Sequence, residues 1–95
     1  MECKTIKFSS HAIRRLFERE ISKERVVATI KEGEIIERYP DDKPYPTYLL
    51  LSIMDHIPLH VVLAFDGESG ACYVITVYHP DQDIWMPGFK TRRKP

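Results

Sequence analysis

The stretch that decides the fold runs from residue 9 to residue 33, SSHAIRRLFEREISKERVVATIKEG. Its apolar residues recur at steps of three and four, which is the period of helices with one buried face. Ser9-Ser10 supplies an N-cap, because a serine hydroxyl accepts a hydrogen bond from an unpaired amide of the first turn. Ser22 begins a second helix, and Gly33 ends it because glycine tolerates a positive φ. The stretch therefore predicts two short helices that pack as a unit.

Each predicted helix presents an apolar stripe to the core. The stripe of the first helix consists of Ala12, Ile13, Leu16 and Phe17. The stripe of the second helix consists of Val26, Val27 and Ile30. Ile21 lies just before the second helix, and its spacing to Val26 is that of a hydrophobic staple, which fixes the angle at which the chain enters the helix.

After Gly33 the hydrophobic period changes to two, the period of β-strands. The predicted strands are Glu34–Tyr39, Thr47–Met54, Leu59–Phe65 and Cys72–Tyr78. Turns are expected at residues 40–44, 55–58 and 66–70, and Lys4–Phe8 is either an edge strand or an extended lead-in. Short connections favour antiparallel neighbours. The predicted fold is therefore α+β, with two N-terminal helices on one face of a curved four-stranded antiparallel sheet whose central strands contain His60 and Val74.

The chain of 95 residues, 43% hydrophobic and 29% charged, has the size and composition of one globular domain. We predict an ordered core over residues 5–86 and a basic tail over residues 87–95. Cys3 and Cys72 allow one disulfide, but so few cysteines fit a reducing cytosol at least as well. No apolar run approaches about 18 residues, and residues 1–4 do not begin a signal peptide. We therefore expect a cytoplasmic protein that does not bind a membrane.

The charges are unevenly distributed, although their sum is zero. Residues 10–32 contain six Lys/Arg and four Asp/Glu, and residues 90–95 contain four Lys/Arg and no acid. Residues 33–89 contain nine acids and two bases. This separation either gives the domain one basic and one acidic side, which would guide it to a polyanion or an acidic protein, or produces only solvated surfaces.

The first helix contains the clearest candidate site. His11, Arg15 and Arg19 stand at i, i+4 and i+8, so a helix stacks them along one stripe. Guanidiniums bind phosphate oxygens in a bidentate manner, and histidine exchanges protons near neutral pH. The stripe is therefore typical of a phosphate ligand, and the alternative is a solvated helix face in which Arg15 contacts Glu18.

Further candidates lie in the last strands and beyond them. His60 lies in an apolar strand and shares a face with Val62, and such a histidine is either functional or hydrogen-bonded within the structure. Tyr78 is a candidate donor to an oxyanion. Trp85 either stacks on a nucleobase or holds a loop against the core. We predict no metal, because Pro58 separates His56 from His60 and a strand begins there. We predict no cofactor, because the sequence contains no glycine-rich phosphate loop.

These residues fall into an ordered set of short motifs. The set consists of Phe8-Ser9-Ser10-His11-Ala12, Glu18-Arg19-Glu20-Ile21-Ser22, Gly33-Glu34-Ile35-Ile36, Leu59-His60-Val61-Val62 and Ile75-Thr76-Val77-Tyr78. It resembles the domain-of-unknown-function 4258 family of small bacterial and archaeal proteins, over about residues 8–86. That family has been grouped by fold with RelE-like and barnase-like ribonucleases found among bacterial toxins.

The resemblance implies a metal-independent endoribonuclease or an RNA-binding toxin-like protein. His11 and His60 would act as acid and base, and Arg15 and Arg19 would hold the phosphate. The partners would be RNA and a cognate protein such as an antitoxin. One alternative is a non-catalytic protein-interaction module in which both histidines are structural. Another is a homodimer that uses strand Thr47–Met54 as its edge.

Overall fold

The computed structural model describes residues 1–94. Its elements in chain order are β1 (Thr5–Phe8), α1 (Ser10–Arg19), α2 (Lys23–Glu32), β2 (Glu34–Tyr39), β3 (Thr47–Met54), β4 (Ile57–Asp66) and β5 (Ala71–Tyr78). The predicted α+β class and the two N-terminal helices are confirmed. Lys4–Phe8, which was predicted as either an edge strand or an extended lead-in, contains the strand β1.

The strands form one mixed sheet in the order β1-β5-β4-β3-β2. The four strands predicted from the alternation pair antiparallel, as expected, and β4 is the central one. The prediction of a purely antiparallel four-stranded sheet needs one correction, because β1 adds a fifth strand that runs parallel to β5. A parallel pair requires a long crossover, and here the rest of the domain provides it.

The helix boundaries follow from local capping. The Ser9 hydroxyl accepts from the amide of Ala12, and the Ser22 hydroxyl accepts from the amide of Arg25. Gly33 ends α2 as predicted, but the predicted reason is wrong, because its φ is −71°. Glycine is needed there for space. A Cβ at this position would lie 2.8 Å from the Leu51 carbonyl oxygen of β3, and closer still to the Thr29 carbonyl oxygen.

The core lies between the helices and one face of the sheet. Fully buried side chains from both layers meet there: Ala12, Val26, Ile30, Leu50, Leu59, Val61, Leu63, Val74 and Val77. Phe17 does not join them. Its side chain is 82% exposed, so its assignment to the core stripe of α1 is wrong. The apolar stripe is wider than the contact with the sheet, and Phe17 lies on its outer margin.

Alternation along β4 divides its side chains between the two faces of the sheet. Leu59, Val61 and Leu63 pack toward the helices, whereas His60 points to the opposite, open face. A β-bulge between β4 and β5 pairs Val62 with Thr76 but Leu63 with Val74. The bulge lets both ends of β5 bury apolar side chains on the helical face.

The β3–β4 connection is a two-residue hairpin rather than the longer turn predicted at residues 55–58. Met54 pairs with Ile57, and the two turn residues Asp55 and His56 both have positive φ. This is the pattern of a type I′ turn, whose twist matches that of the flanking strands. Pro58 consequently lies within β4, where it pairs with Ile53.

Strand β3 lies between β2 and β4, so both of its edges are already paired. The predicted homodimer through Thr47–Met54 as a free edge is therefore wrong. A further strand cannot join the sheet at this position.

A disulfide joins Cys3 to Cys72, with the two Cα atoms 5.7 Å apart. It connects the segment before β1 to β5 and so reinforces the parallel pair. Of the two states that the sequence left open for these cysteines, the structure has the oxidised one.

Residues beyond β5 fold back over the open face of the sheet. Trp85 is 3% exposed and its backbone pairs with Arg92. The ammonium group of Lys90 lies 3.0 Å from the carboxylate of Glu34 on β2. The interpretation of Trp85 as a residue that holds a loop against the core is confirmed. Pro95, the last residue of the predicted basic tail, lies outside the described residues. Within residues 1–94, every helix is too short or too polar to span a bilayer.

Candidate active site

His60 lies on the open face beneath the C-terminal segment and is completely buried. Its Nδ1 is 3.1 Å from the Tyr78 hydroxyl, and its Nε2 is 2.8 Å from the Phe89 carbonyl oxygen. The Trp85 ring meets the imidazole edge-on, with ring centres 4.5 Å apart. The ring is thus covered by aromatic side chains and engaged at both nitrogens.

These contacts define the protonation of His60. A carbonyl oxygen can only accept, so Nε2 carries the proton and donates to Phe89, while Nδ1 accepts from the Tyr78 hydroxyl. Burial lowers the pKa of His60 below its ordinary value. The hydrogen bond to Phe89 opposes that shift, and the nearby Arg92 guanidinium adds to it. The imidazole is therefore a neutral, fully satisfied structural group rather than a proton-transfer group open to a ligand.

Tyr78 lies at the end of β5 with its hydroxyl directed at His60. Burial raises the pKa of this phenol, and the Arg92 guanidinium acts in the opposite direction. Since its proton is donated to His60, the Tyr78 oxygen can only accept a further hydrogen bond.

Arg19 and Arg15 have different surroundings, although both lie on the predicted stripe of α1. Arg19 donates from a terminal guanidinium nitrogen to the carbonyl oxygen of Val77 at 2.6 Å, and the residue is exposed. Arg15 forms an ion pair with Glu18 one turn away. The guanidinium of Arg19 is therefore held at the end of β5 with donors left for a ligand.

His11 lies at the opposite end of α1 from Arg19. It is exposed, and eight residues of helix correspond to about 12 Å along the axis. His60 lies on the other side of the sheet from the helices. The structure therefore separates His11 from His60, the two side chains that the two-histidine mechanism requires in one site. Of the predicted site residues, Tyr78 contacts His60 and also lines one cleft with Arg19.

A cleft of about 430 Å³ opens at this end of the sheet. Its lining residues are Arg19, Tyr78, His79, Asp81, Ile84 and Trp85. It lies between the last turn of α1 and the beginning of the C-terminal segment. A guanidinium, an imidazole and a carboxylate thus share one solvent-open concavity.

His79 is the residue of this cleft that the sequence analysis missed. It is exposed, and its Nδ1 lies 3.0 Å from the carbonyl oxygen of Pro58. Nδ1 is the donor, because the carbonyl can only accept, so in the neutral imidazole the lone pair is on Nε2. Its position immediately after β5 was the available signal, since polar residues at strand ends often carry function.

A larger recess of about 620 Å³ lies beside the disulfide. Its lining comes from the N-terminal segment, the β4–β5 loop and Lys31, and it contains charges of both signs and no histidine. The smaller cleft is therefore the better candidate for chemistry. Within the described part of the chain, no group of three or more His, Cys, Asp or Glu side chains is arranged to hold a metal ion.

Fold and cleft together define a small α+β domain in which an anchored guanidinium and an oriented imidazole line one cleft at the end of a mixed sheet. Comparison with known families gives a match over residues 8–79 to the family described as "Domain of unknown function (DUF4258)". The chain belongs to that family. No curated protein and no solved structure matches the chain.

Proposed function

We propose that the protein is a small RNA-cleaving domain of the toxin type that acts at the cleft formed by Arg19, Tyr78 and His79. The observation that carries the proposal is a single cleft lined both by an imidazole anchored through Nδ1 on the Pro58 carbonyl and by a guanidinium anchored on the Val77 carbonyl. A proton acceptor beside a fixed cation is the arrangement that phosphodiester transfer needs. The ribonuclease grouping implied by the family resemblance agrees with this chemistry.

In the proposed reaction, His79 Nε2 takes the proton of a ribose 2′-hydroxyl, and the 2′-oxygen forms a bond to the adjacent phosphorus. The bond from phosphorus to the 5′-oxygen breaks, and the leaving oxygen takes a proton from solvent water. The products are a 2′,3′-cyclic phosphate and a free 5′-hydroxyl, and the imidazolium returns its proton to solvent. Arg19 stabilises the negative charge that accumulates on the phosphoryl oxygens.

The reaction is tested with single-stranded, end-labelled RNA in the presence of EDTA, because the proposed chemistry needs no metal. We expect His79→Asn to lower the cleavage rate by about 10²–10⁴-fold and Arg19→Gln by about 10²–10³-fold. Asparagine keeps an N–H for the Pro58 carbonyl, so the fold around the cleft is retained. A 2′-deoxy substitution at the cleaved position should abolish the product.

His11→Ala is the matched control, because this histidine is exposed and lies at the far end of α1. Its rate should stay within about twofold of the wild-type rate. Cleavage that survives His79→Asn but is lost in His11→Ala would show that the catalytic site lies at the start of α1 and not in this cleft. Absence of cleavage by protein refolded after removal of any co-purifying partner would overturn the proposal.

A second candidate function is a non-catalytic module that binds a partner protein in the cytoplasm, such as an antitoxin. Two observations favour it: His60 is buried with both ring nitrogens hydrogen-bonded, and Arg15 is paired with Glu18. Affinity capture with wild-type protein and with His79→Asn distinguishes the two functions. A partner held equally by both, together with inactivity on RNA, supports the module.

A further inference from the structure

Two tyrosine rings are stacked on the open face of the sheet, at the end of β5 away from the proposed cleft. Tyr73 of β5 and Tyr45 of the β2–β3 loop have ring centres 5.7 Å apart and planes within 2° of parallel. The ammonium group of Lys7, which pairs with Tyr73 from β1, lies 5.7 Å from the centre of the Tyr73 ring. Lys7 is exposed, and both tyrosines are only partly buried. Tyr45 and Tyr73 therefore form an aromatic platform with a cation beside it.

The charged groups around the platform favour a neutral planar ligand over a second cation. Lys7 already occupies the position of a cation beside the rings. The nearby Asp66 carboxylate, whose charge raises the pKa of the Tyr45 phenol, accepts hydrogen bonds from the Ser69 hydroxyl and from two backbone amides. A nucleobase is a neutral ring, and the phosphate attached to it pairs with a lysine. The platform therefore has the chemistry of a site for single-stranded nucleic acid.

A β-bulge places the platform on the same face of the sheet as Tyr78 of the proposed cleft. Tyr73 and Tyr78 are five positions apart, so an uninterrupted strand would direct them to opposite faces. Ile75 is the extra residue of the bulge, and it restores both tyrosines to the open face. Five residues of strand correspond to about 16 Å. Single-stranded RNA covers that distance with at most about five nucleotides at the stacked spacing of about 3.4 Å.

We propose that Tyr45 and Tyr73 form a second RNA subsite, on which a nucleobase a few nucleotides from the cleaved bond stacks. The proposal rests on the proposed ribonuclease function, which supplies the ligand, and it extends the substrate to a single strand that follows β5. The base continues the parallel stack of rings, as any base can, because every base has a π-face. Lys7 binds a phosphate next to that base as a point charge.

Fluorescence anisotropy with an adenylate hexanucleotide and dinucleotide tests the subsite, with every 2′-hydroxyl methylated so that neither is cleaved. The hexanucleotide, about 20 Å long at the stacked spacing, reaches from the cleft to the platform, whereas the dinucleotide does not. We expect the Tyr45→Ala/Tyr73→Ala double variant to raise the Kd of the hexanucleotide about 5–100-fold. The Kd of the dinucleotide should stay within about twofold.

The Tyr45→Phe/Tyr73→Phe double variant is the matched control, because it keeps both rings. Its Kd for the hexanucleotide should stay within about twofold of the wild-type value. Phe17→Ala removes an exposed ring from α1, outside the platform, and should likewise have no effect. Thermal unfolding monitors the fold of each variant.

Lys7→Gln tests the phosphate contact independently of the rings. Loss of one phosphate contact should lower the slope of log Kd against log salt concentration by about 0.7 for a single strand. Lys31→Gln is the control, since Lys31 is also exposed but lies on α2, and its slope should equal that of the wild type. An unchanged slope in Lys7→Gln would contradict the assigned role of this lysine.

The subsite is overturned if the hexanucleotide binds no more tightly than the dinucleotide, or if the double alanine variant binds it as the wild type does. Binding of tri-arginine, but not of the hexanucleotide, that depends on the two rings also overturns it, because the platform would then recognise a cation. Metal-independent cleavage that persists alongside such results leaves the proposed function standing. Ring-dependent binding of the hexanucleotide without cleavage of RNA supports the subsite and overturns only the proposed catalysis.

Discussion

His60 is held neutral between Tyr78 and Phe89, and this predicts how stability changes with pH. Its folded-state pKa lies below the unfolded value near 6.5 because the ring is buried. As the pH falls from the pKa of His60 in the unfolded state toward its pKa in the folded state, the unfolded chain binds a proton that the folded chain does not. The free energy of unfolding is therefore highest above pH 6.5 and decreases below it.

The measurement is urea unfolding at about pH 7.5 and pH 5.5, on either side of the unfolded pKa. The decrease between these values should be smaller in His60→Gln, although this variant is less stable at both. His11→Gln, the exposed control, should keep the wild-type decrease. An unchanged pH dependence in His60→Gln would show that the buried imidazole does not cause it.

For a single residue such as His60, the sequence predicts the face of the sheet to which the side chain points, but not the side chains that cover it. Alternation along β4 gives its face, and a strand is rigid enough for that rule to hold. The cover by Trp85 and Phe89 depends on contacts 25 and 29 positions away along the chain, for which no local pattern exists. For Phe17 the prediction of burial was wrong, because periodicity identifies the apolar face of a helix but not how much of that face the sheet covers.

Among the elements, the junction of α2 with β2 depends on Gly33. Gly33→Ala should lower the free energy of unfolding by about 1–3 kcal/mol, because its Cβ would overlap the carbonyl oxygens of Thr29 and Leu51. Gly67→Ala is the control, since the nearest atom to its Cβ would be a Phe65 ring carbon at 3.9 Å. Chemical denaturation should place the control within about 0.5 kcal/mol of wild type. Equal effects of the two substitutions would contradict the close approach of α2 to β3.

Helices and antiparallel strands were predictable because their signals are local. The caps at Ser9 and Ser22 and the change of period after Gly33 each lie within a few residues of the structure they specify. The parallel pairing of β1 with β5 lacks such a signal, since Thr5 pairs with Ala71 across the whole domain. The hairpin at Asp55-His56 lacks the glycine that usually indicates a type I′ turn.

Over the whole molecule, the Cys3–Cys72 disulfide closes a loop of 69 residues. Constraint of the unfolded chain by such a loop corresponds to roughly 4 kcal/mol, and native disulfides typically contribute about 2–4 kcal/mol. Reductant should therefore lower the free energy of unfolding by about 2–4 kcal/mol. The Cys3→Ala/Cys72→Ala double variant should match the reduced protein and should not respond to reductant. Equal stability of the oxidised and reduced proteins would contradict the prediction.

The candidate site is likewise a property of the whole molecule. Arg19 ends α1, Tyr78 ends β5, and His79 follows it, so the cleft forms only when the helix packs on the sheet. The spacing of His11, Arg15 and Arg19 predicts one helix stripe, and only its Arg19 end borders the proposed cleft. Tertiary packing, which places the Val77 carbonyl beside Arg19 and the Pro58 carbonyl beside His79, determines which end of the stripe borders the cleft.

The most direct test of the central claim is NMR titration of the four histidine imidazoles with uridine 3′-monophosphate, a probe for the phosphate and ribose of RNA. We expect the His79 resonances to shift and Arg19→Gln to suppress that shift. The resonances of His11 and His56 should stay unchanged, since both lie outside the cleft. Shifts at His11 with none at His79, or no shift at any histidine, would contradict the assignment of the functional site to this cleft.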